Sequence, residues 1–193
     1  MQYFYIYHMN FLEGGIYHVF NRGNQKQSIF FTTDNYLFFL GKMRKELMPK
    51  SEILAYCLMP NHFHLLLFVN NPLEGISSLN RKIGTLQSSY ARAIQKQEKF
   101  TGSLFQQKTK AVPMKTDGQL FICLNYIHQN PLRAKLVNKM EDWEFSSFKE
   151  YWKPGANNFC NQGLLHSFLN IDQNNFYNSS YAAIAEKDAR LVF

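Results

Sequence analysis

The stretch Tyr56–Val69, YCLMPNHFHLLLFV, limits the fold more than any other part of the chain. It reads as strand, turn, strand. Beyond its two histidines the second strand is apolar on both faces, with Leu66 and Phe68 on one side and Leu65, Leu67 and Val69 on the other. That pattern predicts a central strand covered on each side. Pro60-Asn61 between the strands suits a type I or II turn better than the primed turns of tight hairpins, so the connection reads as looser than two residues. Side chains alternate along a strand, which puts His62 and His64 side by side with Phe63 pointing away.

The rest of the chain supplies the elements to cover such a strand. GIYHVFNRGN, from Gly15, reads as a strand running into a turn. Thr33 or Asp34 is placed to cap a helix through NYLFFLGKMRKELM, with Leu37, Leu40 and Arg44/Leu47 at helical spacing and Pro49 ending it. A long helix starts at Ser77 or Ser78 and carries Leu79, Ile83, Leu86, Tyr90 and Ile94 on one stripe. GSLFQQKTKAVPM reads as a further strand, followed by a capped helix, TDGQLFICLNYIHQN, that Pro131 stops. NPLRAKLV and WEFSSFKEYW complete the core, and after Pro154-Gly155 the composition turns to Asn, Gln and Ser. Strands and helices interleave with a hairpin, so the fold class is α+β with a mainly antiparallel sheet. Residues 1–152 form the main domain, and 153–193 read as a looser tail of unknown role with some helical capacity.

The 193 residues fit one domain, and 46% apolar content excludes a disordered chain. Lys plus Arg outnumber Asp plus Glu by 21 to 14, a net charge of +7, which points modestly to a polyanionic partner such as nucleic acid. Eighteen Phe and eleven Tyr provide rings for the core and for stacking on bases. Cys57, Cys123 and Cys160 are odd in number and form no CxxC, the pattern of reduced thiols in a cytoplasmic protein. The first residues show neither a basic n-region nor an apolar h-region, and no run is long enough to span a bilayer, so neither a signal peptide nor a membrane span is expected.

A lone histidine on a buried strand is most often a satisfied core residue. Two on one face could instead hold one metal ion, given a third ligand from elsewhere. The helix before Pro131 offers candidates. Tyr126 and Asn130 lie one turn apart and about 40° apart around the axis. Leu120, Leu124 and Ile127 form a separate core stripe, leaving that edge free to face a site. An amide oxygen is a hard ligand and a phenol a nucleophile, although Asn130 precedes a proline and is biased away from the helical region. Most of the eleven tyrosines must be structural, which is the competing reading for Tyr126.

With MPN before HFH, and YIHQNPLRAKLV downstream, the chain resembles the single-tyrosine HUH transposases of bacterial insertion sequences. It is most similar to their domesticated branch, the REP-associated tyrosine transposases. YHVFNRGN, GSLFQQKTKAV and WEFSSFKEY support the likeness, which runs in order from about Gly15 to Tyr151. The resemblance implies a ferredoxin-like HUH nuclease fold, His62 and His64 as metal ligands, Asn130 as the third ligand and Tyr126 as nucleophile. It implies a divalent ion, Mg²⁺ or Mn²⁺, that polarises the scissile phosphate of single-stranded or hairpin DNA, with attack leaving a 5′-phosphotyrosine and a free 3′-OH. Arg22, Lys108 and Lys110, with Arg81, Lys82, Arg92 and Lys96 on the long helix, would line a groove for the DNA backbone; a merely solvated helix face is the alternative for each charge. Phe105 and Lys108 depart from the Trp and Arg usual in the family, which bears on DNA contacts more than on chemistry. Family members work as dimers or as monomers, so a homodimer stays open. A non-catalytic or decayed nucleic-acid-binding module on the same fold is the rival reading. Replication initiators and relaxases share the chemistry but need a longer chain.

Overall fold

The computed structural model describes residues 11–70, 77–155 and 158–192. The reading of the N-terminus as lacking a signal peptide falls partly on residues outside these. Four strands, β1 (Ile16–Arg22), β2 (Ser51–Met59), β3 (His62–Val69) and β4 (Lys110–Pro113), form one sheet in the order β2-β3-β1-β4. Every pairing is antiparallel. With α1 (Thr33–Glu46) between β1 and β2, and α2 (Ser77–Glu98) between β3 and β4, this is the βαββαβ, ferredoxin-like arrangement expected. Helices α1 and α2 pack against each other on one face, and α3 (Asp117–Arg133) packs on β2 and β3 on the other. Val19, Phe63, Leu65, Leu66 and Leu67 are all buried, which is why β3 needed apolar residues in both directions.

The hairpin is tighter than the turn chemistry suggested. Met59 pairs with His62, so only Pro60 and Asn61 connect the strands. Distant bonds hold this turn: the Pro60 carbonyl accepts from the amides of Ile29 and Phe30, and the Asn61 carbonyl from Gly23. These contacts replace the local preference for a primed turn.

Four further expectations are corrected. Helix α1 is preceded by Thr32, whose amide donates to the Asn35 side chain, rather than capped by Thr33 or Asp34. Its buried face is Tyr36, Phe39, Met43 and Leu47, while Leu37 is 55% exposed. Aromatic area decides this: Tyr36 stacks on Phe145 at 3.9 Å and on Phe30 at 4.3 Å, and Phe39 meets Phe63 and Tyr90. Only Lys110–Pro113 of the expected fourth strand pairs as a strand; before it, Phe105 makes an isolated antiparallel bridge to Gly23, just past the end of β1. Pro131 does not stop α3. The helix keeps Asn130 helical and continues to Arg133, with the Ala134 amide donating to the Asn130 carbonyl. The α2 stripe Leu79, Ile83, Leu86, Tyr90 and Ile94 is buried as read, and the three cysteines are free and buried.

The described residues after Pro154 are packed rather than loose. They carry α5 (Gln162–Phe168), α6 (Phe176–Ser180) and α7 (Glu186–Ala189), following the short α4 (Phe148–Trp152). Cys160, Leu165, Leu169 and Phe176 are buried, with Phe176 against Phe148 and Tyr151. Gln129 of α3 donates to the carbonyls of Ser180 and Ala182, and Glu141 accepts from Tyr177 and Tyr181. A few apolar anchors in a polar segment produce no periodic signal, so this packing had no trace in composition.

The buried side of α3 carries His128, whose Nε2 sits 2.8 Å from Ser147 Oγ. Ser147 already donates to the Tyr56 carbonyl, so His128 is the donor. Burial lowers its pKa from 6.5 to about 3. A depressed histidine stabilises the fold above its unfolded pKa and loses that contribution as pH falls toward the folded value. His128→Gln keeps the donor and removes the titration. Between pH 6.5 and about 3, the variant's stability should fall less steeply than wild type, by up to about 1.4 kcal/mol per pH unit. Parallel denaturation slopes for the two proteins would refute this.

Candidate active site

Residues directly opposed on neighbouring strands share a face. Phe20 opposes His64 and Arg22 opposes His62, so the ends of β1 and β3 present both histidines and a guanidinium on the α3 side of the sheet. The histidine rings are 5.0 Å apart between centroids, as their spacing implied. Phe63 points the other way, into the α1 face.

One nitrogen of each imidazole has a partner that fixes its role. His62 Nδ1 lies 2.6 Å from Asn61 Oδ1, an atom that only accepts, so Nδ1 carries the proton and Nε2 keeps its lone pair. His64 Nδ1 lies 2.8 Å from His18 Nε2, in the buried interior, again leaving Nε2. Burial first, and then the nearby Arg22 charge, lowers the His62 pKa to about 4, while an Asn130 contact opposes the shift. Burial, His18 and His62 lower His64 well below its ordinary value. Both rings are therefore neutral near pH 7, the form that binds metals.

The last turns of α3 close the site. Tyr126 meets His64 edge-on with centroids 5.7 Å apart. Asn130 donates to the Tyr126 carbonyl at 2.9 Å, and its side chain also interacts with those of His62 and Tyr126. Nδ2 is thus committed to the backbone, and Oδ1, which faces His62, is the atom of this side chain able to bind a cation. Burial raises the Tyr126 pKa, while the Arg133 charge and Asn130 pull it down. Among the described residues no three His, Cys, Asp or Glu side chains form a metal cluster, so a cation here would rest on two imidazoles and an amide oxygen. That donor set fits a divalent ion with mixed nitrogen and oxygen ligation.

These residues line a cavity of about 410 Å³ that also takes in Phe20, Asn21, Arg22, Gln106, Lys108 and Lys110. Among the described residues its walls carry three cations and no carboxylate. The buried Arg22 Nε has no hydrogen-bond partner among the described residues. The other expected DNA contacts are distributed differently. Arg81 and Arg92 line a second groove of about 480 Å³ between α2 and residues 102–109, which shares Asn21, Gln106 and Lys108 with the first. Lys82 turns toward α1 and pairs with Glu46 at 3.1 Å, and Lys96, exposed on α2, lines neither.

Two residues near the site escaped sequence reasoning. Arg133 places its guanidinium 5.4 Å from the centroid of the Tyr126 ring. Its only signal was its place two turns after Tyr126. His18 was visible in YHVFNRGN, but only the register of β1 against β3 brings it to His64.

Residues 12–130 match the model of the family described as IS200-like transposases, a span covering more than half the chain and holding His62, His64, Tyr126 and Asn130. The chain belongs to the IS200-like transposase family. Transposases of this family are DNA-cleaving enzymes. A curated Haemophilus influenzae protein, named provisionally as a REP-associated tyrosine transposase, is 27% identical over 106 residues, covering 50% of this chain. The match spans 58% of that relative's length. A solved structure of a REP-associated tyrosine transposase bound to a REP hairpin superposes with a TM-score of 0.62 at 18% identity, covering 80% of this chain and 88% of that one. It shares the fold. No helix among the described residues is long and apolar enough to cross a membrane.

Proposed function

We propose that this transposase-family chain is a metal-dependent endonuclease and strand transferase for single-stranded DNA beside hairpins, with Tyr126 as nucleophile. The observation that carries this is one cavity in which two neutral imidazoles, an amide oxygen, a phenol and three cationic side chains converge. Residues 1–152 supply the chemistry, and 153–193 brace α3 from outside. Every side chain comes from one chain, so the reading does not call for the homodimer that the resemblance allows. DNA access would make it cytoplasmic.

Arg22, Lys108 and Lys110 hold the backbone phosphate, and Asn130 restrains both Tyr126 and His62. A Mg²⁺ or Mn²⁺ ion on His62, His64 and Asn130 would supply Lewis-acid polarisation of that phosphate. Tyr126 Oη forms the new bond to phosphorus as the bond to O3′ breaks; the phenol proton leaves to water, and O3′ departs as a hydroxyl after taking one up. The ester is conserved, so the reverse step joins strands.

Wild type incubated with a divalent ion and a 3′-labelled hairpin oligonucleotide from its own flanking sequence should give a slow-migrating adduct on a denaturing gel. Retarded binding with no adduct would instead favour the non-catalytic module. Binding should also weaken with salt, because each neutralised phosphate releases counterions. Three cations imply a log–log slope of about −2 to −3, and Arg22→Gln should reduce it by about one. Salt-independent affinity would rule out a phosphate-lined cavity.

A further inference from the structure

We infer that His18 is a positioning residue for the metal site: by accepting a hydrogen bond from His64 Nδ1–H, it fixes the tautomer in which His64 Nε2 faces the cation. The inference rests on the proposed metal role of His64 and assigns a residue outside that ligand set.

His18 is fully buried in the middle of β1. Its register partners are Leu66 on β3 and Val112 on β4, apolar surroundings in which a leucine would pack without desolvating any polar atom. An imidazole there needs a partner, and the structure provides one at 2.8 Å from His18 Nε2 to His64 Nδ1. Across the antiparallel pair, His18 sits diagonally from His64, which opposes Phe20. The His18 ring is also stacked on Phe20 with centroids 4.7 Å apart, and it lies within 24° of the His64 ring plane, as a ring-to-ring hydrogen bond requires.

The tautomer follows from bond counting. One proton lies between the two facing nitrogens. If His18 donates it, His64 must carry its own proton on Nε2, and that atom cannot bind a cation. If His64 donates it, Nε2 is a lone pair aimed at the cavity. Cation binding thus selects the second arrangement, and His18 supplies the acceptor that permits it. Asn61 performs the same service for His62 at 2.6 Å. Outer partners of this kind commonly govern metal affinity by 10–100-fold.

The test uses the full chain and Mn²⁺ alone, with free Mn²⁺ followed by electron paramagnetic resonance. His18→Leu should weaken Mn²⁺ binding about 10–100-fold. His18→Gln, whose amide oxygen reaches the position of Nε2, should stay close to wild type. On wild type, ¹⁵N-histidine spectra with Mg²⁺ should show His64 protonated on Nδ1, a readout that survives even if the leucine variant does not fold. Equal Mn²⁺ affinity in folded His18→Leu, or an Nε2-protonated His64 in the Mg²⁺ form, overturns the role of His18 and leaves the metal site standing. Wild type that binds no Mn²⁺ overturns the metal reading itself, and His18 with it.

Discussion

Tyr126→Phe should abolish the covalent protein–DNA adduct while leaving hairpin binding and the fold nearly unchanged. The substitution deletes one oxygen. The ring keeps its edge contact with His64 and its place under Arg133. Asn130 keeps its bond to the Tyr126 carbonyl, because that acceptor belongs to the backbone. The thermal midpoint should therefore move by no more than a few degrees. Loss of a nucleophile is a far larger effect, on the order of 10⁴-fold or more in rate. Protease digestion of the wild-type adduct should leave the label on a peptide containing Tyr126. An adduct of wild-type yield in the Phe variant would assign the attack to another tyrosine.

The second large effect concerns the imidazoles. His62→Ala and His64→Ala should each reduce cleavage to background, EDTA should do the same to wild type, and added Mn²⁺ should restore the wild type alone. The two variants should differ in stability. His62 lies at the rim of the cavity, so its removal costs little. His64 is buried and bonded to His18, so its loss leaves a buried nitrogen unsatisfied, at a cost of about 1–3 kcal/mol. Hairpin binding should survive in both, since Arg22, Lys108 and Lys110 remain. Cleavage in EDTA by wild type, or by the folded double variant, would remove the metal from the mechanism.

The sheet was legible because its signals are local. Alternation in HFHLLLFV specified a strand covered on both faces, and the same alternation put His62 beside His64. Helical spacing marked the buried stripe of α2. What could not be read depends on partners far along the chain. The Pro60-Asn61 turn is tight because Gly23, Ile29 and Phe30 bond its carbonyls. The face of α1 was misjudged because leucine spacing was weighed above the stacking of Tyr36 on Phe30 and Phe145. Pro131 was expected to end α3, yet one missing donor did not outweigh the packing of that helix on β2 and β3. Among the charges, spacing could not separate Arg81 and Arg92, which reach a groove, from Lys82, which Glu46 engages.

The order of these parts along the chain has a consequence during synthesis. All four strands, and with them both imidazoles, are encoded before α3, and the carbonyls that grip Gln129 belong to Ser180 and Ala182, later still. Domains form as their residues emerge, at about 5–20 residues per second. A nascent chain can thus pair its sheet, and set His62 beside His64, several seconds before Ser180 and Ala182 arrive to hold Gln129 on the outer side of α3. On the proposed chemistry, the growing polypeptide would gain phosphate affinity before it gains the power to cut. Translation itself would hold back the nuclease until Ser180 and Ala182 have been made.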